Sequence, residues 1–351
     1  MAIILVVVSI GLAYASLFID STASDFNNGT YQNTTFNGSS VVLSGGNTSG
    51  IYTSRIFDAG ILADWNNINF SRNISLSEEL YAVDAQSDVW KSSDSGVLWS
   101  LVKDDYNAGD GNGVTELGLL RNRTMAIVFN QDVWLSTNFS ENWTKINSNY
   151  NGAESQNAFA FTIDNNDSFY IVEGDQDVWK SNNSGVNWTK INGSDFNGAN
   201  GNVFGLVANA SGNLFTVDAA ADVWSSNNSG VSWTLIKDDY NAGAGNNADG
   251  LAIDFYYIIY ILDVQDVWKS TDSGVSWVKI NDDFNGAIDT NAGQTIWTNS
   301  NNSVFITDGS EEVFISVNGG VDFTKQTLDF NGGNGAIGAF SSTLRNNSIV
   351  F

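Results

Sequence analysis

The chain has 351 residues and a formal net charge of −25, although only 15% of its residues are charged. It contains no Cys, His or Pro, which excludes a disulfide framework and argues against zinc, copper or haem ligation. So few basic side chains also make nucleic acid an unsuitable partner, because phosphate binding needs a cationic surface.

Residues 1–19, MAIILVVVSIGLAYASLFI, carry no charged side chain. As a helix this segment would extend roughly 28 Å, close to the thickness of a bilayer core. Three interpretations compete. A secretory signal peptide would use Ala13-Tyr14-Ala15 as its cleavage site, and a membrane anchor would keep the helix. Both normally have flanking positive charge, but the first basic residue is Arg55. The third interpretation is a helix that polymerises.

That third interpretation rests on a resemblance to mature archaeal type IV pilins, whose basic leader is removed before an apolar helix that packs in the core of a filament. Ser9 with Ala13, and Gly11 with Ala15, are small-xxx-small pairs that permit close helix approach. Bacterial pilins carry a glutamate near the start of this helix, where this chain has Leu5. The residues predicted to form the polymerisation helix are Ile3, Ile4, Leu5, Val6, Val7, Val8, Ser9, Gly11, Ala13, Ala15, Leu17 and Phe18.

The rest of the chain divides into three predicted parts. Residues 20–24 (DSTAS) form a polar connector, and residues 25–75 form an N-terminal β segment. Residues 76–351 contain short β-branched and aromatic runs separated by Asn, Asp, Gly and Ser clusters, which predict β-strands. Four such runs per ~45 residues are typical of β-propeller blades.

Six copies of the pattern Ser-x-Asp/Asn-x-Gly-x-x-Trp punctuate these runs. They occupy Ser92–Trp99, Ser136–Trp143, Ser181–Trp188, Ser226–Trp233, Ser270–Trp277 and Ser316–Phe323, with starting serines 44 to 46 residues apart. Ser140 replaces the glycine in the second copy, and Phe323 replaces the tryptophan in the last. Such a period indicates one supersecondary unit per repeat.

The pattern resembles the Asp-box, or bacterial neuraminidase repeat, which in that family joins the third and fourth strands of a blade and lies at the rim, away from ligand sites. The Asp or Asn oxygen accepts backbone hydrogen bonds, glycine permits positive φ, and the aromatic ring packs on the blade. The structural residues so predicted are Ser92, Asp94, Gly96, Trp99, Asn138, Trp143, Asn183, Gly185, Trp188, Asn228, Gly230, Trp233, Asp272, Gly274, Trp277, Asn318, Gly320 and Phe323.

The predicted fold is therefore an all-β propeller of six or seven four-stranded blades, preceded by one hydrophobic helix. In the seven-bladed version, Ala336–Thr343 and Asn347–Phe351 are two strands of a last blade. The segment 51–60, followed by Trp65, then supplies its third strand and a degenerate box. Pairing the two ends would remove exposed sheet edges. In the six-bladed version, residues 25–75 form a small β layer at the side.

A loop such as Asp104–Asn112 follows each box. We predict that it is a turn whose aromatic residue packs between blades, the residues being Tyr106, Tyr150, Phe196, Tyr240, Phe284 and Phe330. Calcium is the alternative ligand, with oxygens from Asp105, Asn107 and Asp110. No other cofactor is expected.

Seventeen Asn-x-Ser/Thr sequons favour an exported, N-glycosylated protein over a merely compositional origin. Fourteen of the asparagines are the predicted acceptors: Asn28, Asn33, Asn37, Asn47, Asn69, Asn73, Asn122, Asn166, Asn182, Asn192, Asn209, Asn227, Asn301 and Asn346. The other three, Asn138, Asn142 and Asn187, lie within boxes.

The Asp-box resemblance also suggests a sialidase, an enzyme that holds its substrate carboxylate with three arginines and uses a Tyr/Glu pair with an acid/base Asp. This chain has five arginines in all, Arg55, Arg72, Arg121, Arg123 and Arg345, and no Arg-Ile-Pro motif. No catalytic residue is therefore predicted, although 39 acidic residues leave a two-carboxylate glycosidase open.

The expected function is structural: a subunit of an extracellular, archaeal type IV pilus-like filament that passes through the membrane before assembly. Its partners would be copies of itself, with a glycosylated head for adhesion. The alternative is a membrane-anchored surface propeller that binds a glycan or a protein.

Overall fold

The computed structural model describes residues 79–111, 113–152, 154, 156–193, 195–196, 201–243, 248–286, 291–299 and 302–326 in full. It also describes the backbone of the strands named below outside those ranges. The chain divides into two compact units, Met1–Leu76 and Ser77–Phe351.

The first unit contains seven described strands. They are β1 Ile4–Ile10, β2 Tyr14–Asp20, β3 Thr30–Gln32, β4 Thr34–Phe36, β5 Val41–Leu43, β6 Ile51–Thr53 and β7 Asn67–Phe70. β1 lies between β2 and β7 in one antiparallel sheet, whereas β3 pairs with β6 and β4 pairs with β5.

The N-terminal segment differs from the sequence prediction. Where a helix is expected over residues 1–19, the chain forms β1 and β2, with Ile4 opposite Asp20 and Ile10 opposite Tyr14. The run from Ile3 to Val8 is β-branched at every position except Leu5, and such side chains lose rotamer freedom in a helix and pack well on a pleated sheet. No helix with the length and apolar character to cross a membrane occurs among the described residues.

The described strands of the second unit form six antiparallel sheets of four strands, which are the blades of a propeller. Blade 1 contains β8 Leu80–Asp84, β9 Val89–Ser92 and β10 Ser100–Lys103. Blade 2 is β11 Glu116–Leu119, β12 Met125–Phe129, β13 Asp132–Ser136 and β14 Thr144–Asn147. Blade 3 is β15 Ala158–Ile163, β16 Phe169–Glu173, β17 Val178–Ser181 and β18 Thr189–Asn192.

The remaining blades repeat this plan. Blade 4 is β19 Val203–Ala208, β20 Leu214–Asp218, β21 Val223–Ser226 and β22 Thr234–Lys237. Blade 5 is β23 Gly250–Ile253, β24 Ile259–Asp263, β25 Asp266–Ser270 and β26 Val278–Asn281. Blade 6 is β27 Gly293–Thr298, β28 Val304–Asp308, β29 Val313–Ser316 and β30 Thr324–Thr327.

The ring closes through β31, Ile337–Ser342, which pairs with β8 and completes blade 1. The six-bladed prediction is therefore confirmed, and the seven-bladed one is wrong. The segment Ala336–Thr343 supplies the missing first strand of blade 1 instead of starting a seventh blade. Ile51–Thr53 pairs with β3 and not with a blade, while Asn347–Phe351 and Trp65 lie outside the described residues.

The second strand of each blade forms the core of the ring. In blades 1, 3, 4, 5 and 6 all five of its residues are buried. Apolar clusters then join neighbouring blades: Tyr81 and Val83 of blade 1 pack with Leu117 and Ile127 of blade 2. Each blade is thus stabilised by its neighbours, as expected for a repeat architecture.

Because the strands of a blade alternate in direction, the turns divide between two faces of the ring. One face carries the turns between first and second strands together with the six boxes, and we call it the box face. The opposite face carries the turns between second and third strands and the loops that follow the boxes, and we call it the loop face.

Candidate functional site

The boxes are hydrogen-bonded turns of nearly identical geometry. In the first, the Ser92 hydroxyl donates to Asp94 Oδ1 (2.8 Å) and accepts from the Gly96 N–H (2.9 Å). Asp94 Oδ1 also accepts from the Leu98 N–H at 2.8 Å. Asn138, Asn183, Asn228, Asp272 and Asn318 accept a backbone N–H in the same way. The serine hydroxyl and the Oδ1 atom of the Asp or Asn are therefore engaged in holding each turn.

The box glycine serves backbone conformation and close packing. Gly96, Gly185, Gly230, Gly274 and Gly320 all have φ between 84° and 90°. A Cβ on Gly185 would lie 2.9 Å from Val133 of the preceding blade. The second copy adopts the same left-handed conformation at Ser140, with φ 72°. The six boxes therefore also set the spacing between blades.

The aromatic residues of the post-box loops pack between blades, as predicted. The Tyr106 ring centroid lies 5.8 Å from Trp134 and 5.7 Å from Trp143, both of the next blade. Tyr150, Phe196, Tyr240 and Phe284 repeat this arrangement. Phe330 lies outside the described residues.

The three residues predicted as calcium ligands have separate partners. Asp110 pairs with Lys145 at 2.5 Å, and the Asn107 side-chain amide donates to the Gly111 carbonyl at 2.7 Å. The Asp105 N–H donates to Asp88. Asp105 Oδ1 and Asn107 Oδ1 are buried and have no hydrogen-bond partner among the described residues, so a cation could still bind them.

A lysine opposite the third-strand aromatic residue recurs in four blades. Lys145, Lys190, Lys279 and Lys325 each contact an acidic residue and lie over an aromatic ring. In blades 1 and 4, Leu101 and Leu235 take that register position. Asp88 and Asp222 are the corresponding acidic residues of these two blades. Burial is the main cause that raises the pKa of each, and neighbouring carboxylates raise it further.

One group of three carboxylates in the described part of the chain lies within metal-binding distance, namely Glu154, Glu173 and Asp177. Lys190 Nζ already contacts Glu154 and Asp177 at 2.5 Å. Glu173 accepts from the Trp179 indole N–H and from the Asn151 amide. The lysine thus supplies the counter-charge that a metal would provide.

The described part of the ring encloses an axial channel of about 610 Å³. Its described wall comes from the first strands of blades 2 to 6 and the turns at their ends, so that it runs from Glu116 and Asp249 at the loop face to Phe255 and Tyr257 at the box face. This wall contains carboxylate, amide and hydroxyl groups but no Lys or Arg. The described channel therefore suits an uncharged or positively charged guest.

Glu116 is the most perturbed acid of the channel. Burial raises its pKa from 4.5 to about 8. Its one recorded hydrogen bond among the described residues comes from the Leu117 N–H at 3.4 Å. Asp249, near the same mouth, accepts from the Val264 N–H, and burial raises its pKa as well. The sequence alone does not single out either residue, because nothing in the repeat pattern marks them among 39 acids.

The box-face mouth carries an aromatic turn, Phe255-Tyr256-Tyr257, between β23 and β24. Its three side chains are 56%, 66% and 45% exposed. Asp254 Oδ1 holds the turn by accepting from the Tyr256 and Ile258 N–H groups at 2.9 Å. Asp164 and Asn209 hold the corresponding turns of blades 3 and 4, but the residues that follow are Asn165-Asn166-Asp167 and Ala210-Ser211-Gly212.

The predicted glycosylation sites fall into three groups. Asn122, Asn166, Asn182 and Asn227 are exposed, as are Asn142 and Asn187. Asn192 donates to the Val231 carbonyl, Asn209 caps its turn, and Asn138 is engaged in its box. Asn28, Asn33, Asn37, Asn47, Asn73, Asn301 and Asn346 lie outside the described residues, and of Asn69 only the backbone is described.

The arginines that a sialidase would need are not brought together in the described part. Arg121 and Arg123 are exposed in the box-face turn of blade 2, and neither is part of the channel wall. Arg55, Arg72 and Arg345 lie outside the described residues.

No protein-family model and no curated protein matches this chain. Solved structures do. One is a nidogen/laminin complex, with a TM-score of 0.57 at 10% identity over 76% of this chain and 98% of that chain. A GH74 xyloglucanase from Xanthomonas campestris gives 0.50 at 14% identity over 72% and 43%. A GH74 enzyme from Niastella koreensis gives 0.50 at 16% identity over 72% and 44%. The chain spans under half of the two enzymes. At such identities the likeness shows the fold alone, a β-propeller.

Proposed function

We propose that this protein is a surface-exposed binding propeller that takes an uncharged or positively charged ligand in its axial channel. The observation that carries the proposal is the channel itself, which is large enough for a small oligomeric ligand and has no basic side chain in its described wall. Carboxylates and amides there offer hydrogen-bond acceptors, and no described cation is available to attract an anionic guest.

The sequons support an extracellular setting for this role. Six sequon asparagines are exposed on the described part of the propeller, so glycans would not disturb the blades. We assign the protein to the outside of the cell, N-glycosylated and engaged in adhesion. The nidogen/laminin structure is a protein complex that contains the same fold, which is compatible with a protein partner.

A pilus-like filament is the more specific form of this function. It needs residues 1–19 as a helix, whereas β1 and β2 are strands, so the binding proposal does not depend on it. Mass spectrometry of the mature N-terminus and electron microscopy of the native surface test the filament. A short basic leader removed before Met1 and bundled N-terminal helices would support it.

The binding role is tested with a panel of neutral oligosaccharides and of acidic and basic decapeptides, screened for thermal stabilisation of the full chain. A ligand present at 100 times its Kd stabilises by about 2.7 kcal/mol. Thr162 lines the channel, so Thr162→Trp should obstruct it and abolish the effect, whereas exposed Asn182→Ala should not. Preferential stabilisation by acidic peptides would contradict the charge argument.

Glycoside hydrolysis is the second candidate, because Glu116 holds a proton near neutral pH and shares a channel with Asp249. A raised pKa is what a general acid requires. Release of reducing ends from neutral polysaccharides, lost in Glu116→Gln, would establish the activity. If a polysaccharide binds but no reducing ends are released, the channel is a binding site and not an active site.

A further inference from the structure

The aromatic turn stands in a place where the propeller otherwise uses small or polar residues. Phe255 and Tyr257 both line the box-face mouth of the channel, and Tyr256 does not. Nothing in the described core requires these side chains, since Phe255 and Tyr257 remain about half exposed. An exposed aromatic cluster beside a cavity is typical of a binding surface.

The backbone of Tyr257 adds a second observation. Its φ is 65°, in the left-handed region, as in the corresponding turns at Arg123, Asp167, Gly212 and Asn302. Asp, Gly and Asn tolerate this conformation, whereas a bulky side chain is disfavoured there. Blade 5 therefore has a bulky aromatic residue, and blade 2 the long side chain of Arg123, in a backbone conformation that disfavours both. Such conflicts between local preference and structure concentrate at functional sites.

The sequons provide a third observation. The turn between first and second strands carries a sequon in blades 2, 3, 4 and 6, at Asn122, Asn166, Asn209 and Asn301. In blade 5 the same turn has Phe255-Tyr256-Tyr257 and no sequon. If the sequons are used, blade 5 has the one such turn in blades 2 to 6 that no glycan would cover.

The polar groups around the mouth define the class of ligand. Asn165 and Asn299 line it together with the two aromatic residues. Rings of Phe and Tyr pack against the apolar faces of pyranose sugars, and amides hydrogen-bond to hydroxyl groups. The described channel wall has no Lys or Arg to pair with a sugar carboxylate or sulfate. These features together favour a neutral sugar chain over an acidic one.

We infer that Phe255 and Tyr257 form a platform at the box-face mouth that binds a neutral oligosaccharide, with one sugar ring stacked on the aromatic side chains. The inference rests on the proposed binding role and gives it a ligand class. It also assigns the ligand to the box face, opposite Glu116.

The experiment measures affinities of neutral hexasaccharides of glucose, mannose and galactose for the full chain by calorimetry, with polygalacturonate as the acidic probe and a neutral decapeptide as the peptide probe. Phe255→Ala should weaken binding of the preferred hexasaccharide about tenfold, which corresponds to one stacking contact. Tyr256→Ala is the matched control from the same turn and should change the affinity less than twofold.

Tyr257→Asn separates a binding role from a structural one. Asn suits the left-handed conformation, so this variant should unfold at a temperature about 2–5 °C higher than wild type while losing most of the affinity. A fall in both quantities would show that Tyr257 stabilises the fold, and would overturn the platform. Failure of every neutral hexasaccharide to bind, or a preference for polygalacturonate or for the decapeptide, would also overturn it. Hexasaccharide binding that Phe255→Ala leaves intact but Thr162→Trp abolishes would overturn the platform and keep the channel.

Discussion

Replacing Glu116 with Gln should change how the stability of the propeller depends on pH. The folded protein holds the Glu116 proton up to a pKa of about 8, and the unfolded chain releases it near 4.5. Between these values the folded state binds more protons, so the free energy of unfolding falls as pH rises from about 4.5 to 8. The glutamine variant lacks this loss.

The size of the effect follows from the shift. A change of 3.5 pKa units at ~1.36 kcal/mol each gives about 4.8 kcal/mol as an upper limit. Glu116 is partly accessible to water in the channel, and solvation of the carboxylate reduces the effect to on the order of 2 kcal/mol. Glu116→Gln should therefore be more stable than wild type at pH 8.5 by that amount, while the two proteins converge near pH 4.5.

Urea unfolding followed by tryptophan fluorescence, repeated at intervals from pH 4.5 to 8.5, measures the difference directly. The other buried acids, among them Glu173 and Asp218, remain in both proteins and cancel in the comparison. Glu141→Gln, at an exposed position of the second box, provides the control and should show a constant small difference. Parallel curves for wild type and Glu116→Gln over this range would refute the assignment of a buried, proton-holding carboxyl.

Three further changes test other parts of the molecule. Leu235→Lys would give blade 4 the lysine that four other blades have next to the acidic residue at the start of their third strand. We expect its free energy of unfolding in urea to rise by about 0.5–1.5 kcal/mol, and that of Lys279→Leu to fall by a similar amount. Ser181→Ala leaves the buried Gly185 N–H without its acceptor and should cost about 1–3 kcal/mol in the same assay, whereas a loss no larger than that of exposed Asn182→Ala would contradict the box role. Chelation with EDTA should leave the melting temperature unchanged, since Lys145 already neutralises Asp110; a fall restored by added calcium would support a calcium loop.

The repeat pattern predicted the propeller because each box combines several local requirements in eight residues. The serine, the acceptor and the glycine are all needed within one turn, so their spacing survives in the sequence. The aromatic residues of the post-box loops were predictable because they too recur at a fixed position in each repeat. Six blades could not be separated from seven, since the pairing of β31 with β8 joins residues more than 250 positions apart and has no local signature.

The channel residues escaped prediction for a different physical reason. The pKa of Glu116 depends on strands of other blades that converge around the axis, and no local pattern encodes that enclosure. The aromatic turn did leave a signal. Aligned on the 45-residue period, Tyr257 stands where Arg123, Asp167 and Gly212 occur, so the amino-acid sequence by itself marks an aromatic residue at a position that is polar or glycine in blades 2, 3 and 4.

The pairing that closes blade 1 has a consequence for biosynthesis. Because β31 pairs with β8, a nascent chain cannot complete its first blade until residue 342 has emerged from the ribosome. Until then the inner edge of β8 lacks its partner and can pair with other chains. Chaperones that protect this edge during translation would therefore govern the yield of the protein.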